Sequence, residues 1–280
     1  MTRYIAIALV LLAATPTDAA EKTFDRAFTV SPGGSLIVDA DGASVKVSGA
    51  DTNQVTVHMS FRGPEKELAA MTLGATQNGN EVTATMRRQS SGSWFNWGSW
   101  SSESEIEVTV PKRYEVSVKT GGGSIELKDT TGSVKLNTSG GDITARNLNG
   151  TVGLRTSGGT IVADTVRGDV DANTSGGDVR LLNVDGKIKG HTSGGSVRIK
   201  LVGANRGISA TTSGGDIELI LPRGTTGNVD ASTGGGDIQT DLPVTTTILK
   251  ETHLEGSLNG GGQPIEARTS GGSIRLRAAG

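Results

Sequence analysis

Between Thr120 and Ile274 one short phrase keeps returning: threonine, serine, two glycines, a small polar residue, then an aliphatic. It reads Thr138-Ser139-Gly140-Gly141-Asp142-Ile143 and recurs from Thr156, Thr174 and Thr192 at a spacing of 18 residues. Further copies begin at Thr212, Thr233 and Thr269 after small insertions. Between them Val134, Val152, Val170 and Ile188 form a second aliphatic beat, nine residues from Ile125, Ile143, Ile161, Val179 and Val197. A fixed period over many copies marks a stacked repeat architecture. Each beat runs aliphatic, variable, then Leu, Ile or Ala, as in Val134-Lys135-Leu136 and Ile217-Glu218-Leu219. This period-two alternation predicts a short strand with one buried face. Hexapeptide β-helices also use 18-residue coils, but they need an aliphatic at every sixth position, which this chain lacks.

The two beats compensate in size. Where the first strand of a unit ends in Leu136 or Leu154, the second ends in Ala145 or Ala163. Where the first ends in Ala172, Gly190, Ala210 or Ala231, the second ends in Leu181, Ile199, Leu219 or Thr240. Such exchange is expected of residues that face each other across a thin core of constant volume. The predicted fold is all-β: a flattened β-solenoid (β-helix) with about 18 residues and two short strands per coil, in two facing sheets. One coil buries too little to offset its own backbone entropy, so stability must come from stacking. The glycine pairs are expected to give the corners a positive φ, and the stacked Thr and Ser hydroxyls to bond along the ladder.

The same beat appears earlier, at Leu36 and Val38, Val45 and Val47, Val55 and Val57, Ile106 and Val108, and Val116 and Val118. Residues 61–105 interrupt it as a small insertion, with a predicted short helix over Pro64–Leu73 and a strand near Val82–Met86. The insertion also holds Ser93-Trp94-Phe95-Asn96-Trp97-Gly98-Ser99-Trp100, which contains all three tryptophans. A second interruption covers roughly Leu242–Gly256. The expected organisation is a signal peptide at 1–19, N-terminal coils at 20–60, the insertion at 61–105 and the repeat solenoid at 106–280, with 20–280 one continuous domain.

The leader reading rests on Arg3, the apolar run Tyr4–Ala14 and small residues at Thr17 and Ala19, a run too short to span a bilayer. It implies a periplasmic, secreted or cell-surface bacterial protein. The chain has no cysteine, so disulfides cannot hold it together. It has 42 glycines and only nine aromatic residues, and counting glycine as apolar brings it into the ordinary globular range. A formal charge of −2 offers no basic field for a phosphate backbone, which argues against nucleic acid as a partner.

Candidate chemistry is thin. His58, His191 and His253 are far apart, without zinc-type spacing, and read as isolated outward or corner residues. Ser139, Ser157, Ser175 and Ser193 are corner residues, none in a nucleophile elbow. Asp142, Asp178, Asp216 and Asp237 are weak as calcium ligands, because Thr160, Ser196 and Ser273 interrupt the series. No cofactor or metal is called for. Outward Arg180, Arg198 and Glu218 could line one sheet face, the arrangement a polysaccharide lyase or hydrolase on a β-helix would need; a solvated mixed-charge face is the competing account. Trp94, Phe95, Trp97 and Trp100 are the interaction candidates: either a cap over a solenoid end, or a loop presented to a protein or glycan at the cell envelope.

The entry Glu107-Val108-Thr109-Val110-Pro111 through Val116 and Val118 to Thr120-Gly121-Gly122-Gly123, the Thr-Ser-Gly-Gly-Asp-Ile repeats, and the closing Arg268-Thr269-Ser270-Gly271-Gly272-Ser273-Ile274 carry a resemblance. Over about residues 30–280 the sequence resembles a bacterial family of extracytoplasmic β-strand-repeat proteins of unknown function, labelled adhesin-like. The resemblance implies a non-enzymatic binding or scaffold role and supplies no catalytic residues.

Overall fold

The structure is a computed structural model that describes residues 20–89 and 103–280. Two long sheets face each other. One, here sheet I, has 13 strands and carries the first strand of each coil; the other, sheet II, has 12 and carries the second. In the middle of the stack the strands pair in parallel and in strict register, Val134 beside Val152 beside Val170 and Ile143 beside Ile161 beside Val179. This is the predicted two-sheet solenoid.

One coil shows how the sequence builds it. The strand Val152–Arg155 lies in sheet I, Thr156 to Thr160 turn the corner, and Ile161–Arg167 lies in sheet II. Val152, Leu154, Thr156, Ile161 and Ala163 point inward and are buried. A further inward residue escapes the period-two pattern. At Thr165 the backbone enters the left-handed region (φ 58°), which breaks the alternation and turns Val166 into the core. Leu148 and Val184 occupy the same place in neighbouring coils. The size compensation is visible at Gly190, where an added Cβ would lie 3.1 Å from Val197 Cγ1 and 3.4 Å from Val179 Cγ1 on the opposite sheet. Thr240 departs from the pattern: it sits in the short edge strand Ile238–Thr240 and is exposed.

The glycine corners differ from what the sequence predicts. In the repeat corners that begin with Thr138, Thr156, Thr174, Thr192, Thr212, Thr233 and Thr269, no glycine has a positive φ. Their second glycine is needed for close approach instead: a Cβ on Gly159 would stand 2.1 Å from the Gly141 carbonyl oxygen one coil below. Left-handed residues occupy the opposite corner, at Asp129, Asn147, Thr165 and Asn183. The corner threonines do bond along the stack. Thr138, Thr156, Thr174, Thr192 and Thr212 each donate their hydroxyl to the carbonyl of Gly123, Gly141, Gly159, Gly177 and Gly195 in turn.

Both ends are built by doubling back. Gly34–Ala40 and Ser44–Ala50 form an inner coil, while the later strands Glu81–Arg88 and Glu103–Pro111 form the coil outside it. At the other end the last strands, Pro264–Thr269 and Ile274–Ala278, slot between the coil Ile208–Leu221 and the strands Gly227–Thr233 and Ile238–Thr240. Antiparallel strands then close the stack: Gln54–Gly63 and Ala20–Thr29 on sheet II, Met71–Asn78 on sheet I, and the hairpin Val244–Lys250/His253–Leu258 at the far end. The helix predicted over Pro64–Leu73 is shorter, Glu65–Ala70, with Pro64 at its entry, Glu65 and Glu67 in its first turn and Leu68 buried; the chain turns extended at Met71, where the strand Met71–Asn78 begins.

Candidate functional site

Trp94, Phe95, Trp97 and Trp100 lie outside the described residues. The described chain reaches Gln89, just past the sheet I strand Glu81–Arg88, and resumes in the sheet II strand Glu103–Pro111.

Arg180, Arg198 and Glu218 do share one row of sheet II, but their charges are spent on each other and on neighbours. Glu218 is gripped from both sides, by Arg198 Nε at 3.1 Å and Arg277 Nε at 3.3 Å. Arg180 Nη2 lies 2.6 Å from Asp178 Oδ2. Both carboxylate oxygens of Glu218 are thus taken by guanidiniums, which leaves neither free to face a substrate. A concavity of 610 Å³ near one end of sheet II likewise holds charges that are paired with each other. His58 Nδ1 lies 2.7 Å from Asp25 Oδ1, and Lys46 sits between Glu105 and Glu107, which hold its ammonium above the usual pKa, Glu105 contributing most.

The interrupted aspartate series becomes regular in space. Down the corner edge of sheet II the order is Ser124, Asp142, Thr160, Asp178, Ser196, Asp216, Ser273, Asp237, a strict alternation of hydroxyl and acid that the inserted final coil completes. Asp142, Asp178 and Asp216 each accept the backbone N–H of the next coil, at 2.7, 2.9 and 2.8 Å. Asp237 accepts from the Ser273 hydroxyl at 2.7 Å and from Gln239, which holds its carboxyl below the usual range, Ser273 contributing most. Strands lie about 4.8 Å apart, so alternation sets the acids about 9.6 Å from one another and avoids stacking like charges.

The outer face of sheet I follows the same rule with basic residues. Across successive strands one row reads Lys119, Asn137, Arg155, Asn173, His191, Thr211, Arg268, Ser232, His253. A base stands at every second strand, a repeat of about 9.6 Å. In the adjoining row Gly153 lies between Lys135 and Asp171, with Lys189 one strand further. An added Cβ at Gly153 would meet nothing nearer than the Val134 carbonyl oxygen at 3.8 Å, so the fold does not demand glycine there. Its absence of a side chain opens a 230 Å³ depression lined by Lys187, Lys189, Asp169 and Asp171, adjoining one of 280 Å³ beside Arg155, His191 and the same Asp171. Lys119, Lys135, Arg155 and Lys189 make no ion pair among the described residues.

Of the three histidines, His191 Nδ1 is hydrogen-bonded to the Thr211 hydroxyl at 2.7 Å. His253 is not isolated: the end hairpin brings it to Asp230 and Glu255. The alternation His253-Leu254-Glu255 marks a shared outward face in the sequence, but the neighbour Asp230 depends on the antiparallel pairing.

Facing sheets, stacked corners, capped ends and a continuous charged face define a repeat scaffold of the β-solenoid class. The chain belongs to the Toastrack DUF4097 family, whose model matches residues 34–277. Among solved structures it is similar to a candidate adhesin from Bacteroides fragilis, at 13% identity over 92% of this chain and 97% of that one, with a TM-score of 0.50. It is also similar to a candidate adhesin (13% identity, TM-score 0.45) and a candidate lipid-binding protein (16% identity, TM-score 0.41), both from Parabacteroides distasonis, each over 92% of this chain and 97% of the other. At these identities the likeness speaks for the fold alone. No curated protein matches the chain.

Proposed function

We propose that the protein is a non-enzymatic, extracytoplasmic adhesin-like binding scaffold, periplasmic or secreted, whose sheet I face receives an acidic glycan. The observation that carries this is a set of cations without ion pairs on one face of sheet I: Lys135 beside the bare floor at Gly153, Lys189 lining the depression there, and Lys119 and Arg155 in the adjoining row. A glycine inside a strand weakens it and suits a place where a ligand comes close to the backbone. Bases repeating at about 9.6 Å suit a chain whose carboxylates recur once per extended disaccharide. The ion-paired state of Arg180, Arg198 and Glu218 favours binding over the alternative, a carbohydrate-active lyase or hydrolase. The segment with Trp94, Phe95, Trp97 and Trp100 supplies a second, aromatic contact.

A uronic-acid polysaccharide, its carboxyl-reduced neutral form and single-stranded DNA, each immobilised, test this. The expected result is salt-sensitive binding to the uronate alone, weakened at least tenfold in Lys135→Glu/Arg155→Glu with an unchanged melting temperature. Equal binding by wild type and variant would overturn the face; equal binding to DNA would reduce it to unspecific charge attraction; and release of reducing ends would replace it with the enzyme reading. A Trp94/Trp97/Trp100→Ala variant that folds but binds less would establish the aromatic contact, and one that binds unchanged would remove it.

A further inference from the structure

The end hairpin places three ligand-type side chains together on the outer face of sheet I. Asp230 is the direct cross-strand partner of Glu255, and His253 lies two residues before Glu255 on the same strand face. His253 Nε2 is 3.2 Å from Glu255 Oε1 and 3.7 Å from Asp230 Oδ1, and the three donor atoms all lie within 4.8 Å of one another. Tetrahedral zinc with bonds of about 2.1 Å sets its ligand atoms about 3.4 Å apart, so small rotations about the side chains suffice. Arg268 donates to Asp230 Oδ2, which occupies that oxygen and leaves Oδ1 turned to the histidine.

The charge pattern of the whole molecule points to the same place. Elsewhere in the described sheets, carboxylates on neighbouring strands are separated by a hydroxyl, an amide or a base, as in the alternating corner edge of sheet II. Only here do acids meet directly across paired strands: Glu255 beside Asp230, and Asp230 beside Glu266. Like charges directly opposite are destabilising. Arg268 answers Asp230 and Glu266, lying 3.8 Å from the latter, but leaves Glu255 to the histidine alone. A cation held between Asp230, Glu255 and His253 completes the balance.

We propose that Asp230 Oδ1, His253 Nε2 and Glu255 Oε1 form a site for a zinc-class divalent transition metal, with Arg268 as the positioning residue for Asp230. One imidazole and two carboxylates suit zinc, whereas calcium asks for six to eight oxygens. The three side chains are between about a third and two fifths exposed, so the fourth position faces solvent and is open to water or to a donor from another molecule.

Untagged protein stripped with EDTA and titrated with zinc by calorimetry at pH 7.5, and with cobalt by visible absorption, provides the test. The expected result is one saturable site per chain with a tetrahedral cobalt spectrum, weakened at least tenfold in His253→Ala and Asp230→Asn and unchanged in His58→Ala and His191→Ala. Absence of saturable binding, or equal binding by His253→Ala, would overturn the site and leave the direct His253–Glu255 contact in its place. Melting in EDTA checks each variant. Should His253→Ala fail to fold, the near-isosteric Asp230→Asn and Glu255→Gln decide the matter in its place: weakened zinc binding supports the site, and binding equal to wild type overturns it.

Discussion

At Thr165 the chain passes through the left-handed region with φ 58°, a conformation in which a β-branched residue is strained. The residues at the same corner in the stack are Asp129, Asn147 and Asn183, whose short polar side chains tolerate it. Two of them already bond to a coil below: Asn147 Nδ2 donates to Asp129 Oδ1 at 3.0 Å, and Asn183 Nδ2 to Asp164 Oδ1 at 2.8 Å. Thr165→Asn should therefore raise stability by about 1 kcal/mol, read as a higher urea midpoint with an unchanged slope. A lower midpoint would mean that the Thr165 hydroxyl, 3.1 Å from Asp164 Oδ1, matters more than the backbone. The corner also shows what was hidden in the sequence. Leu148, Val166 and Val184 recur as faithfully as the strand residues, but they fall out of phase with the period of two, and only the left-handed turn makes them inward.

Among the elements, the strands were legible because alternation and the 18-residue beat report burial directly, and the helix because Pro64 opens it. The glycine corners were legible as corners but not for their physical cause. Period and composition cannot separate a glycine kept for φ from one kept for the neighbour above it. The two glycines of one corner distinguish these causes. A Cβ on Gly141 would lie 2.2 Å from the Gly123 carbonyl oxygen, whereas one on Gly140 would lie 3.7 Å from that of Gly122, an ordinary contact. With no positive φ at either, alanine reduces the freedom of the unfolded chain by a similar amount at both. Gly141→Ala should destabilise by about 1 to 3 kcal/mol as the corner stack is pushed apart. Gly140→Ala should be neutral or gain up to about 1 kcal/mol. Thermal melts of the two variants check the difference, and equal losses would return the corner to a conformational explanation.

Over the whole molecule, sequence order and spatial order part company at both ends, and the cluster around His253 lies where it does because of it. The alternations that look broken in sequence, hydroxyl with acid on one edge and base with polar residue on one face, become regular once Pro264–Thr269 and Ile274–Ala278 stand inside the stack. The cluster around His253 was illegible for the same reason: Arg268 reaches Asp230 from that inserted coil, 38 residues away in sequence. A solenoid stacked in chain order loses one repeat when its last repeat is cut off, because each repeat contacts only its neighbours. Here the last coil is the support for Gly227–Thr233, whose corner hydroxyl at Thr233 donates to the Gly272 carbonyl at 2.6 Å. Removing residues 264–280 should therefore expose amides in Gly227–Leu258 as well, while Val134–Leu201 keeps its protection. Hydrogen exchange resolved by peptide is the measurement. If Gly227–Leu258 stays protected in the shortened chain, the outer coil can close directly on Ile208–Thr211, and the final coil is an addition to the stack rather than the piece that holds its end in place.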